Sequence, residues 1–173
     1  MMPLSSAFLV NNVGVSQQQL PLVFMVTGLS MLIILPIIGK MSDKIGKYKV
    51  FFAGSIMAMT MLFIYSNLNV NPLWIVIFVN VFLFAGIMSR AVPSSALMSA
   101  MPDIKDRGAF MGINSSIQQL AGGIASVFSG LIVIQLPNGK LENYNLVGYT
   151  GMLTMLICIV LMFFIHKAVL NKK

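Results

Sequence analysis

The chain has 173 residues, of which 58% are hydrophobic and only 9% charged, and its net charge is +7. About a quarter of the residues of a soluble domain are charged, so a water-facing surface would go uncovered and lipid is the medium that tolerates this composition. One histidine, one cysteine and four scattered acids (Asp43, Asp103, Asp106 and Glu142) argue against hydrolytic or metal-dependent catalysis, and the basic clusters between apolar runs fit a membrane protein better than a nucleic-acid binder.

A helix needs roughly 20 apolar residues to cross the hydrocarbon. Residues 1–10, MMPLSSAFLV, are too short for that and read as the last turns of a partial helix. They lack the basic region and cleavage pattern of a signal peptide. Five full spans follow, at about 19–39, 48–66, 72–101, 108–136 and 146–170. None shows the period-2 alternation of a membrane barrel. The expectation is an all-α, polytopic membrane protein: one bundle over 1–173, five full transmembrane helices and a partial N-terminal one.

The loops alternate in charge. Loop 40–49 holds Lys40, Lys44, Lys47 and Lys49 against Asp43; loop 102–107 and the tail with Lys167, Lys172 and Lys173 fall on the same side. Loops 11–18 and 67–71 carry no charge, and 137–145 carries only Lys140 and Glu142. The positive-inside rule makes the basic side, and with it the C-terminus, cytoplasmic. Tyr65, Trp74, Tyr144 and Tyr149 fall at outer span ends and Tyr48 at an inner one, where an aromatic belt is expected.

Polar content sorts the spans. Those at 48–66 and 146–170 are almost wholly apolar and are expected to face lipid. Asn80 and Arg90 in the third span, and Asn114, Gln118 and Gln119 in the fourth, must face protein or a water-filled cavity. Interhelical hydrogen bonding and cavity lining stay open for the two glutamines. Gly122, Ser126 and Gly130 form a small-residue stripe at four-residue spacing, expected to pack a neighbouring helix. Arg90 has no acid in any span to pair with, so snorkelling to the inner interface and a cavity role both stay open. Pro93, one turn later, removes a backbone donor and can kink that helix. Cys158, alone in an apolar run, reads as a buried spectator thiol, and no metal-ligand spacing or cofactor motif is present.

GKMSDKIGKYK, residues 39–49, carries the pattern Gly39-x-x-x-Asp43-Lys44-x-Gly46-Lys47 between two spans. This resembles the signature loop of the major facilitator superfamily, G-x-x-x-D-[RK]-x-G-[RK]-[RK]. Residues 102–133 resemble that family's tenth-to-eleventh loop and eleventh helix, and residues 6–28 its seventh-to-eighth connection in bacterial efflux-type members. The resemblance covers the whole chain and implies the C-terminal half of a twelve-helix transporter, from the end of helix seven through helix twelve. It implies export of a small organic solute across a bacterial inner membrane by alternating access, with an N-terminal six-helix half, or a second copy, as partner beside membrane lipid. The motif glycines would then allow a tight turn and close helix approach, and Asp43 would latch against a helix N-terminus of the other half. Lysine replaces the usual arginine at 44 and 47, and Tyr48 stands where a second basic residue is common. A non-transporting membrane protein, a truncated-gene remnant and a homodimeric half-transporter are the alternatives.

Overall fold

The computed structural model describes residues 2–171; Met1 of the expected partial helix and Lys172 and Lys173 of the basic tail lie outside the described residues. Six helices carry the chain: α1 (Met2–Asn11), α2 (Leu20–Ile45), α3 (Lys47–Ser66), α4 (Leu73–Met98), α5 (Arg107–Ile132) and α6 (Tyr144–Asn171). Four are long and apolar enough to cross a membrane: α2, α3, α4 and the Tyr144–Val169 part of α6. The crossing expected over 108–136 is a helix of 26 residues, but Asn114, Ser115, Ser116, Gln118 and Gln119 dilute its apolar content and leave it outside those four.

Local chemistry explains most boundaries. Proline in the first turn opens α2, where its missing N–H costs nothing, and Pro72 precedes α4. The expected basic loop at 40–49 is mostly helix. α2 runs through Lys40 and Lys44 to Ile45, with Lys44 in the last turn, where the helix dipole favours a cation, and only Gly46 separates it from α3. After α5, residues Ile134–Gln135 (β1) and Leu141–Glu142 (β2) pair antiparallel, with Gly139 at φ +84° in the turn. This short hairpin takes the last residues of the span expected to end at 136 and part of the loop expected at 137–145.

Packing overturns two expectations about the spans. The 48–66 span is not peripheral: α3 is the central helix, against α2, α4 and α6, and it buries Phe51, Gly54, Ser55, Ala58, Leu62 and Tyr65. Lipid and protein interior are equally apolar, so an apolar helix surface does not say which it meets. The 108–136 span does not line the interior either. α5 packs chiefly on α6, and Ser129 is its one buried residue among those described. The 146–170 span, as α6, is largely exposed, in keeping with lipid contact.

The tightest seam joins α3 to α4. A Cβ placed at Gly86 would stand 2.7 Å from the Ala58 backbone nitrogen, and one at Gly54 would stand 3.0 Å from the Ser89 carbonyl carbon. These glycines let two backbones touch, the role the sequence had suggested for Gly122, Ser126 and Gly130. On those three residues no such neighbour appears: Cβ positions at Gly122 and Gly130 meet nothing within 4 Å, and Ser126 is exposed.

At the end away from the 39–49 stretch, a cluster around Phe8, Leu9, Val13, Tyr65, Val76 and Tyr144 ties α1 to the bundle. Phe8 stacks on Tyr144 with ring centroids 4.0 Å apart. Tyr65 and Tyr144, expected in an interfacial belt, are 3% and 2% exposed and belong to this core, whereas Trp74 is 70% exposed. Asn12 clamps the hairpin to the α1–α2 loop: its Nδ2 donates to the Leu141 carbonyl at 2.8 Å and its Oδ1 accepts from the Leu141 N–H at 2.9 Å. Asn12→Ala leaves both Leu141 groups unpaired and is expected to cost about 1–3 kcal/mol. Faster amide exchange in the hairpin and a lower unfolding midpoint in mixed micelles would register the loss; unchanged values of both would remove the clamp.

Candidate functional site

Two concavities involve the candidate residues of α4 and of the 39–49 stretch. The first is a cavity of ≈ 290 Å³ walled by α3, α4 and α6, with Ser5 of α1 and Phe24 of α2 at its margin. Its volume is near the lower end of ligand pockets, about 300–1,000 Å³. Its wall is mostly apolar, with Leu62, Leu83 and Ile87 among its members, and Asn80 and Arg90 both reach it from α4. They are ten residues apart, hence about 15 Å along the helix.

Each of these two side chains carries a buried donor atom without a partner among the described residues. Asn80 is 2% exposed, and its Nδ2 has no hydrogen-bond partner among the described residues. Arg90 Nε is buried and likewise without a partner. The guanidinium carbon sits 5.4 Å from the centroid of the Phe51 ring on α3, so a cation–π contact stands in for part of a counter-charge. No acid of the chain lies near the middle of a crossing helix: Asp43 is two residues from the end of α2, Asp103 and Asp106 precede α5, and Glu142 is in β2. Nε is buried against an aromatic partner on a neighbouring helix while Arg90 as a whole is half-buried.

The second concavity, ≈ 230 Å³, lies at the basic end. It is bordered by Ser42, Asp43, Gly46 and Lys47 of the 39–49 stretch together with His166 of α6. Ser42 Oγ and His166 Nδ1 are buried without partners among the described residues. Tyr48 stacks on His166 at 5.5 Å between centroids. Gly46 has φ +109° and ψ 137°, a conformation open mainly to glycine, and makes the connection between α2 and α3 a single residue. Gly39 differs: it lies inside α2, and a Cβ there would meet nothing within 4 Å, so the close approach expected of it is absent within this chain. Asp43 and Lys44 are exposed on the last turn of α2.

The remaining candidates do not join these sites. Asn114 is half-buried and Gln118 and Gln119 are exposed on α5. Gln119 borders only a shallow groove on the outer surface of that helix. Sequence reasoning also passed over three features. Phe51 meets Arg90, Cys158 and Thr154 border the first cavity, and Gly54 and Gly86 set the α3–α4 spacing. The Gly54-x-x-x-Ala58 spacing was a readable signal of the same kind as the stripe on α5. Phe51 and Cys158 gave none, since their importance comes only from which helices become neighbours.

A family model described as the Major Facilitator Superfamily matches residues 1–173. No curated protein and no solved structure matches the chain.

Proposed function

The chain belongs to the major facilitator superfamily, a family of transporters and not of enzymes, and from that premise we propose that it forms the C-terminal six-helix half of a secondary transporter. In this reading α1 corresponds to the end of helix seven and α2 to α6 correspond to helices eight to twelve, with α5 completing five crossings. The chain exports a small organic solute by alternating access through a bacterial inner membrane, and its lysine-rich end, C-terminus included, is cytoplasmic. It rocks against an N-terminal six-helix half and is inactive alone.

The observation that carries this reading is the 39–49 stretch, where two crossing helices meet at the single residue Gly46 beside an exposed Asp43. A fixed negative charge at a rigid helix junction suits a latch against the positive N-terminus of a helix in another half. α5 adds support. Its Asn114, Gln118 and Gln119 and its stripe of Gly122, Ser126 and Gly130 have little or nothing of this chain against them, as a surface for a second bundle would. Asn80 and Arg90 line the cavity, Lys44 and Lys47 flank the latch, and Gly39 faces the partner half.

The test is transport in inverted vesicles from cells expressing this chain with an N-terminal six-helix half. Asp43→Asn removes the latch charge and is expected to lower the transport rate about fivefold to thirtyfold, on the scale of a helix-terminus charge contact, with membrane insertion unchanged. An unaltered rate would remove the latch. Transport by the chain alone would remove the need for a partner half.

A further inference from the structure

The first cavity is selective in what it offers. Three of its lining residues carry a buried polar atom without a hydrogen-bond partner among the described residues: Arg90 Nε and Asn80 Nδ2 are donors only, and the third is the Tyr144 hydroxyl, next to Tyr65. The wall between Asn80 and Arg90 is apolar, and no acid of the chain lies in the middle of a crossing helix. An organic cation would meet a guanidinium with nothing to offset it, and an uncharged hydrocarbon would leave both donors unpaired. Burying an unpaired cation in hydrocarbon is costly, and an anion in reach of Arg90 relieves that cost with charge-assisted hydrogen bonds. Phe51 holds one face of the guanidinium at 5.4 Å, which limits its orientations before any ligand arrives.

We propose that the cavity enclosed by α3, α4 and α6 binds an amphipathic organic monoanion, its anionic head on Arg90 and its apolar body along Leu83 and Leu62 toward Asn80. The rise of about 15 Å along α4 between Asn80 and Arg90 sets the scale of the chain length the site takes. The proposal deepens the transport reading and rests on it for the passage of this solute, but not for its binding. The site lies inside one helical bundle, so a second half is not needed to form it.

Cys158, the only cysteine, borders the cavity and is exposed, not buried as its apolar run suggested, so an alkylating reagent reaches it and a ligand seated in the cavity slows that reaction. The full chain in discs of phosphatidylcholine is treated with N-ethylmaleimide in the presence of decanoate, decanol or decyltrimethylammonium. Decanoate is expected to slow labelling at concentrations where the other two do not. Arg90→Gln is expected to raise its half-protecting concentration about tenfold to a hundredfold, the range for one charge-assisted hydrogen bond, and Arg90→Lys to recover part of the loss. Equal protection by all three ligands, or decanoate protection indifferent to Arg90→Gln, would overturn the proposal. The comparison of ligands on the unaltered chain decides independently of any variant. Discs containing phosphatidylglycerol separate two sources of the same chemistry: protection without decanoate, lost in Arg90→Gln, assigns the site to an anionic membrane lipid. Decanoate protection with no transport of it would retire the transport reading and keep the site; transport without protection would do the reverse.

Discussion

Gly86→Val is expected to lower the unfolding free energy of the chain by about 1–3 kcal/mol, or more where the helices cannot shift. The new Cβ would stand 2.7 Å from the Ala58 backbone nitrogen and 2.8 Å from its Cα, and backbone cannot turn aside as a side chain can. Relief requires α3 and α4 to separate. That loosens the seam on which Ser55, Ala58 and Leu62 are buried and shifts Arg90 relative to Phe51. The matched substitution Gly122→Val on α5 meets open space and is expected to change stability by no more than about 0.5 kcal/mol. Unfolding of each variant in mixed dodecyl sulfate micelles, followed by circular dichroism, measures both. Equal effects of the two would show that small-residue packing is not concentrated on α3 and α4. A silent Gly122→Val in the isolated chain that abolishes assembly with an N-terminal half would assign the α5 stripe to the partner.

The pattern of successes in reading the sequence has a physical basis. Polar atoms in an apolar run carry information because hydrocarbon penalises them, and Asn80 and Arg90 do lie on one cavity wall. Four of the five expected crossings correspond to helices long and apolar enough to span, and the lysines misled at one boundary. Lys40 and Lys44 suggested a loop, but α2 carries both, and Lys44 in its last turn is favoured by the helix C-terminus. Lateral placement was not legible. α3 and α6 both have the length and apolar content of crossing helices, yet one is central and the other largely exposed; an apolar side chain suits a lipid neighbour and a protein one alike. Small residues do separate them, and Gly54, Ala58 and Gly86 were the signal for α3 and α4. The same signal on α5 pointed to packing that this chain does not contain. The pairing of Arg90 with Phe51 could not be read at all, since it depends on α3 and α4 being neighbours at one register.

Gly46→Val is expected to be the most damaging change within the 39–49 stretch, and Gly39→Ala among the mildest for the chain by itself. The two glycines share a motif but not a reason. Gly46 turns the chain between two crossing helices in one residue at φ +109°, where a β-branched side chain is held in strain of about 1–3 kcal/mol. Relaxing that strain tilts α2 against α3 and moves Asp43 and Lys47, which border the same cleft. Loss of stability and loss of transport are therefore expected together. Gly39 sits in regular helix, and a methyl group there would meet nothing within 4 Å, so alanine is expected to stabilise α2 by up to about 1 kcal/mol through helix propensity alone. Transport measured beside stability separates the two roles. If Gly39→Ala leaves the isolated chain intact but stops transport with an N-terminal half present, the glycine keeps a surface clear for a helix of that half. If it does neither, the spacing from Gly39 to Gly46 reduces to the turn at Gly46 and the charge at Asp43, and the latch needs no close approach at its first residue.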